Sequence, residues 1–287
     1  MPELPDLAIL ADAFAAALDG RRVTAVRIVE HLVLRATPDQ AEDLVGQAIE
    51  GVGRRGKHLV LRLDRTDVWV APMLTGRLGL ATPGAAKPRV AVGFGFGPAP
   101  AEPRSPAAWV AGAGWLPDRR AELELRYLDP TRMGKIYLAP AGVASGVPGI
   151  ADLGPDADDP ELTLEAWQAR IRRHPGELKG LLRNQAFVAG IGNAYGDEIL
   201  WEARLSPFRR RATLAPEETA RLFTAMRSVL AEAVALLRTR VPPTFEKQVR
   251  DHLQVHLRGG QPCPRCGTTI SQVGGREATS FCRSCQR

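Results

Sequence analysis

Four cysteines within the last 25 residues constrain this chain more than any other feature. Cys263, Cys266, Cys282 and Cys285 are spaced C-x2-C-x15-C-x2-C. Two C-x2-C hairpins at that spacing face each other around one tetrahedral zinc, and so predict a zinc ribbon over 251–287. The competing use of four cysteines is a pair of disulfides. That needs an oxidising compartment, and the acidic, proline-rich start MPELPD has none of the basic and apolar run of an export signal. The expectation is therefore a cytosolic chain carrying one structural Zn2+. Its four thiolates close the coordination shell, so this zinc shapes a module and catalyses nothing. A ribbon this short has little core of its own, and metal binding supplies most of its folding energy. It says little about function, because zinc ribbons serve many partners.

The rest of the chain is long enough for two domains of ordinary size: 287 residues, 45% hydrophobic and 24% charged, a globular composition. No stretch approaches the ~20 apolar residues of a membrane span. The net charge is +6, but its distribution says more. Residues 1–160 hold 18 Lys+Arg against 20 Asp+Glu, whereas residues 161–287 hold 20 against 12. A basic second half suits a phosphate-rich partner, although an acidic protein or lipid surface would satisfy charge alone.

Short alternating runs follow an N-terminal helix: RVTAVRIV (22–29), KHLVLRLD (57–64), VWVAPML (68–74), RVAVGFGF (89–96), AELELRYL (121–128) and KIYLAP (135–140). With their Gly/Pro-rich breaks they predict an antiparallel β-sandwich or barrel-like domain over 1–140. Residues 141–160 are Gly, Ala, Pro and Asp rich without periodicity and read as a linker. From Leu162 the period becomes helical in LTLEAWQARIRR, ELKGLLRNQ, AYGDEILWEARL and PEETARLFTAMRSVLAEAVALLR. AGIGN (189–193) lies between two of these helices, and a glycine-rich turn entering a helix is a generic phosphate site.

The start itself has two readings. Pro5 suits a first helical turn, with Leu7, Leu10, Ala11, Phe14 and Leu18 at helical spacing and Gly20 as a stop, which leaves Pro2 as loose chain. Alternatively, removal of Met1 exposes the secondary amine of Pro2 beside the carboxylate of Glu3, a nucleophile next to a proton-transfer group.

Taken in order, these segments resemble the formamidopyrimidine-DNA glycosylase / endonuclease VIII family of base-excision repair enzymes. MPELPD resembles its M-P-E-L-P-E start, GRRGKHLVL (53–61) its R-G-K-x-L strand, and MLTGRL (73–78) and YLDPTRMG (127–134) its wedge and intercalation loops. LKGLLRNQAFVAGIGNAYGDEILWEARLSP (178–207) resembles its helix–two-turns–helix element, and PCPRCGTTI…FCRSCQR its zinc ribbon. The resemblance implies an α+β multidomain fold. It comprises an N-terminal antiparallel β-sandwich with its helix (1–140), a linker (141–160), a helix–two-turns–helix DNA-binding domain (161–250) and the ribbon (251–287), with DNA in the basic cleft.

The resemblance also implies a bifunctional DNA glycosylase and abasic-site lyase acting by β,δ-elimination. Pro2 attacks C1′ of the damaged nucleotide and forms a Schiff base, Glu3 handles protons at the sugar, and Lys57 acts near the departing base and phosphate. The residues alone would make Lys57 a solvated lysine in a tight turn. Lys179 and Asn193 match positions that hold phosphates, with Gly190 and Gly192 admitting close backbone approach; Asn193 could equally cap the helix it begins. Arg132 fills the space opposite an extruded nucleotide. The partner implied is double-stranded DNA containing a damaged base or abasic site, met by a monomer with access to chromosomal DNA.

Several positions depart from the family pattern. Met133 stands where a phenylalanine is usual, and the wedge methionine is either Met73 or, one place on, Leu74. Counting back from Cys282, the ribbon arginine falls on Glu277, with Arg276 adjacent. Residues 240–260 lack the glycine-rich loop of oxidised-purine enzymes and read as a proline-bearing segment with a helix, so the lesion stays open. Two other classes compete: a non-catalytic lesion- or abasic-site-binding paralogue, which needs none of Pro2, Glu3 and Lys57, and an unrelated zinc-ribbon regulator, which leaves the N-terminus unexplained.

Overall fold

A computed structural model describes residues 1–85, 89–101, 113–275 and 277–287. The chain divides into two compact units, each discontinuous. Met1–Pro2, Asp6–Ala151 and Leu237–Gln248 form one; Glu3–Pro5, Asp152–Leu236 and Val249–Arg287 form the other.

In the first unit, helix α1 (Leu4–Leu18) buries Leu7, Leu10, Phe14 and Leu18 at the predicted spacing, and a single-turn helix α2 spans Pro38–Glu42. Among the described residues, two sheets make the β-sandwich. One has four strands in the order β1 (Val23–Ile28), β7 (Val90–Phe96), β8 (Leu123–Leu128), β6 (Arg77–Ala81). The other has five: β2 (Leu34–Arg35), β9 (Lys135–Pro140), β5 (Thr66–Ala71), β4 (His58–Leu63), β3 (Ile49–Arg55). Among the described residues the longer pairings are antiparallel, and only the two-residue β2 runs parallel to its neighbour β9. The strand predicted over 68–74 stops at Ala71, because Pro72 offers no N–H to a ladder. Strands β3 and β6 were not anticipated. Glycines 51, 53 and 79 dilute their apolar alternation. The returning segment Leu237–Gln248 is anchored by Phe245, packed edge-on against Phe14 (5.2 Å between centroids) and Trp115 (5.3 Å).

The second unit is helical. It contains α3 (Leu164–Arg173), α4 (Leu178–Arg183), α5 (Asn193–Glu202) and, through Leu236, α6 (Pro216–Arg240). Their apolar faces meet around Trp167, whose ring lies 4.8 Å from Phe187 and 5.7 Å from Phe223. The helix expected within 240–260 is absent: past Arg240, where α6 ends, the described residues of that stretch hold only turns, bends and irregular chain. Its backbone is satisfied otherwise. The N–H groups of Gln254, Val255 and His256 donate to the buried Glu198 carboxylate at 2.7, 2.9 and 2.8 Å. The terminal module pairs β10 (Ser271–Val273) with β11 (Thr279–Phe281) over a small core of Val255, Ile270, Cys263 and Cys282. Among the described residues, no helix is long and apolar enough to cross a membrane.

Candidate active site and metal centre

Helix α5 begins at a turn with three backbone N–H groups aimed at one point, and a carboxylate occupies that point. Glu3, only 3% exposed, accepts from Gly192 (2.7 Å), Ala194 (2.9 Å) and Tyr195 (3.2 Å). A negative group there satisfies orphan amides and meets the positive end of the helix dipole. The glycines have specific reasons. A Cβ on Gly192 would sit 2.5 Å from the Glu3 carboxyl carbon, and Gly190 has φ +102° with the Leu4 side chain 2.8 Å from where its Cβ would be. The AGIGN turn thus binds the chain's own Glu3. This corrects the reading of Asn193 as the helix cap: Gly192 occupies the cap position and Asn193 is the first helical residue. Its Nδ2 donates instead to Ala278 O on the β10–β11 hairpin (3.0 Å).

Pro2 is buried and lines a recess in the first unit with Asp6, Leu10, Arg77, Phe245 and Gln248. Above it the Met1 carbonyl accepts from Gln248 Nε2 (3.2 Å), while Gln248 Oε1 accepts from Arg77 (3.1 Å). Lys57 is half-buried and follows Gly56 (φ +54°) in the two-residue turn joining β3 and β4. Arg54 donates to Gly56 O across that turn (3.2 Å).

The two loops that resemble wedge and intercalation elements are tied together by Asp129. Its Oδ1 accepts from Thr75 Oγ1 (2.6 Å) and from Thr131 N and Oγ1 (3.2 and 3.1 Å); its Oδ2 accepts from Gly134 N (2.7 Å) and Tyr127 OH (3.3 Å). Burial works against the Asp129 charge, but these donors outweigh it and hold the carboxyl below its ordinary range. Tyr127, also buried and beside that charge, is pushed well above the ordinary phenol range. What the hub presents is apolar and outward: Met73, Leu74 and Met133 are 41%, 38% and 48% exposed. Met73 (φ +50°) and Arg132 (φ +58°) both adopt the left-handed region that side-chain-bearing residues avoid. Arg132 pairs with Glu30 at 2.9 Å, and Lys135 Nζ binds the carbonyls of Arg132, Met133 and Gly134.

Lys179 lies inside the second unit. Its Nζ donates to Asn193 O (2.6 Å) and pairs with Asp197, which also meets His256 Nδ1 (2.7 Å). Burial lowers the Lys179 pKa, and the charges of Asp197 and Glu3 oppose that shift without cancelling it. Arg276 lies outside the described residues. Its neighbour Glu277 is paired with Arg183.

The four cysteine sulfurs lie within 4.8 Å of one another and none forms a disulfide. Cys263 and Cys285 are 4.0 Å apart and Cys266 and Cys282 3.5 Å, bracketing the roughly 3.8 Å edge of a tetrahedron with metal–sulfur bonds of ~2.3 Å. Trp201 Nε1 donates to the Cys263 sulfur (3.4 Å), and Arg265 stacks on the same indole (3.9 Å) while pairing with Glu202 (2.7 Å). These contacts seat the cluster against the C-terminal end of α5, and the donor set fits one metal ion.

Comparison with known proteins then decides the family. Residues 1–136 match the formamidopyrimidine-DNA glycosylase N-terminal domain and residues 153–242 the formamidopyrimidine-DNA glycosylase H2TH domain. The formamidopyrimidine-DNA glycosylase of Thermomicrobium roseum is 35% identical, over 100% of this chain and 99% of that protein. That of Pelotomaculum thermopropionicum is 31% identical, also over 100% and 99%. The chain belongs to the formamidopyrimidine-DNA glycosylase family. The fold agrees: a Lactococcus lactis Fpg solved with DNA containing an abasic site superposes with a TM-score of 0.82, at 22% identity over 99% of both chains. Another, solved with N7-benzyl-Fapy-dG DNA, gives 0.83 at 23% identity over 100% of both. By family this is a base-excision repair DNA glycosylase.

Four groups in this glycosylase were missed by reading motifs alone: Asp129 as loop hub, Asp197 under Lys179, Glu198 as acceptor for the segment 254–256, and Gln248 above Pro2. Each is a polar residue whose partners are distant in sequence, between 54 and 247 positions for the longest contact of each. A local signal existed only for Asp129, in the D-P-T turn that a short acceptor side chain favours.

Proposed function

We propose that the mature chain, after loss of Met1, is a bifunctional DNA glycosylase and abasic-site lyase. Its partner is double-stranded DNA with a damaged base or an abasic site. The observation that carries this reading is a buried proline at position 2 followed by a carboxylate held by three backbone N–H groups. Capping α5 alone would account for the carboxylate; what a scaffold that only bound DNA has no use for is that carboxylate directly following a latent secondary amine.

In this reading the Pro2 nitrogen attacks C1′ of the damaged nucleotide, the bond from C1′ to the base breaks, and the base leaves with that electron pair and a proton. The Glu3 carboxylate takes the proton shed by the Pro2 nitrogen and passes it to the ring oxygen as the sugar opens to the Schiff base. Lys57 assists near the leaving base and phosphate. Elimination expels the 3′ and then the 5′ phosphate, and water releases Pro2. Lys179 and Asn193, with Arg276, form the phosphate-holding set, in which charge and amides position DNA without reading sequence. Arg132, Met133 and one of Met73 and Leu74 fill the gap left by the extruded nucleotide. An apolar thioether can serve as such a wedge, more flexibly than an aromatic ring.

The cysteine cluster holds one Zn2+ as a structural ion; all four donors come from the chain, which leaves no open position for chemistry. The working division is catalytic sandwich 1–140, linker 141–160, helix–two-turns–helix domain 161–250 and ribbon 251–287, in a monomer acting on chromosomal DNA in the cytoplasm. The relatives' shared name makes a ring-opened purine the first lesion to test. The test is strand cleavage on duplexes carrying a formamidopyrimidine or an abasic site, with Pro2→Thr and Glu3→Gln alongside. Cleavage leaving phosphate on both flanks, lost in both variants, supports the reading. A protein that binds the abasic duplex but does not cut it is the binding paralogue.

A further inference from the structure

The contact between Gln248 and the Met1 carbonyl has a direction fixed by chemistry. Arginine has donors and no acceptor, so Arg77 admits only the oxygen of the Gln248 carboxamide. The amide nitrogen is thereby forced to the opposite side, where it meets the Met1 carbonyl at 3.2 Å. That carbonyl carbon is bonded to the Pro2 nitrogen. With C=O ~1.23 Å and C–N ~1.33 Å, the carbonyl oxygen and Pro2 nitrogen are about 2.3 Å apart, so Gln248 Nε2 lies no more than about 5.5 Å from that nitrogen. Arg77 is itself fixed, donating to Gly76 O at 2.7 Å, in the turn that carries Met73 and Leu74. Gln248 is delivered by the returning segment that Phe245 pins to Phe14 and Trp115. Removing Met1 by hydrolysis takes the carbonyl away with the departing methionine and leaves N–H at Pro2.

We propose that Gln248 is a positioning residue for the Pro2 nitrogen: oriented by Arg77, its N–H2 group passes from the Met1 carbonyl to the lone pair of the free amine and keeps that amine neutral and aimed. The inference rests on Pro2 being the nucleophile. A donor to the amine's lone pair favours the neutral form, and the Arg77 charge on the far side of the carboxamide works in the same sense. The other charged groups around the recess are Asp6 on α1, Lys247 beside Gln248, and Glu246, against which Gly79 of β6 packs; Glu3 follows Pro2 in the chain. All of these are retained in the variants below, so their contributions cancel in the comparison.

The experiment is the pH dependence of borohydride trapping on duplex DNA with one abasic site, for Met1-free wild type, Gln248→Glu and Gln248→Met. Binding to an uncleavable tetrahydrofuran duplex and the thermal midpoint establish that each variant is folded. In Gln248→Glu one oxygen still meets Arg77, and the other now faces the amine and favours its charged form. The acid limb of trapping should move up by about one pH unit, with the rate recovering to within about twofold of wild type above it. Gln248→Met, close in size but with no polar head, should trap more slowly at every pH. Profiles for both variants that superpose on wild type overturn the role of Gln248 while leaving Pro2 as nucleophile. A wild type that binds the duplex but gives no adduct at any pH overturns the nucleophile reading, and this inference with it.

Discussion

Replacing Asp129 by alanine should release both loops that carry the apolar wedge residues. The carboxylate is 3% exposed and takes five donors, two of them short: Thr75 Oγ1 at 2.6 Å and Gly134 N at 2.7 Å. Hydrogen bonds to a charged acceptor contribute ~1.5–3 kcal/mol each, they are not additive, and water entering the vacated space replaces part of them. Counting the two short ones and discounting for that water leaves about 3 kcal/mol, which is on the order of 100-fold in a local opening equilibrium. The direct assay is amide hydrogen exchange. Gly134, whose N–H points at Asp129, and Gly76, whose N–H donates to Pro72 O at 2.9 Å, should exchange on the order of 100-fold faster, while amides in α3–α5 keep their rates. Base extrusion, read with a fluorescent base opposite the lesion, should weaken in parallel. Unchanged exchange at both glycines would refute the view that one carboxylate holds the two loops.

The same carboxylate gives a pH prediction. Because its folded pKa lies below the ordinary carboxylate range, its contribution is present above the unfolded value of ~3.9 and is lost as pH falls through the folded value. Protection at Gly134 should therefore hold from neutral pH down to about 4 and collapse below that, and Asp129→Asn should show no such transition. Gly192→Ala places a methyl 2.5 Å from the Glu3 carboxyl carbon, so Glu3 must leave its three amides; urea unfolding of the second unit should record a loss of about 2–4 kcal/mol. Removing the metal with a chelator, or substituting Cys263→Ser, should unfold the ribbon and abolish DNA binding while the sandwich keeps its circular dichroism. DNA affinity should fall steeply between 50 and 200 mM salt, and each phosphate-contacting lysine or arginine removed should reduce the log–log slope by about one.

Much of this organisation was legible in the sequence because it depends on local periodicity or fixed spacing. The cysteine pairs, the alternating strands around Leu59–Leu63 and Leu123–Tyr127, and the helical faces at Trp167 and Ile199 each repeat at the interval their geometry requires. The glycines at 190 and 192 pointed to a close approach, but the occupant was unreadable. Glu3 lies 189 residues from its partner Gly192, so nothing local distinguishes a phosphate from the chain's own carboxylate. The same non-locality made 240–260 look helical: Leu253 and Val255 are buried, yet the amides of 254–256 belong to Glu198 rather than to a helix. Strands β3 and β6 escaped because their glycines carry no side chain to mark a face. Gln248 could not be singled out at all, since its meaning comes from Arg77 on one side and the first residue of the chain on the other.

If the residue-2 nitrogen is the nucleophile, reduction of its Schiff base must leave the DNA covalently attached to that residue. Met1-free protein is incubated with a duplex bearing one abasic site, reduced with borohydride, digested and read by peptide mass spectrometry. One reduced adduct is expected on the N-terminal peptide, located at Pro2, and none on Lys57. An adduct on a lysine, or none from protein that binds the duplex, would contradict Pro2 as the nucleophile.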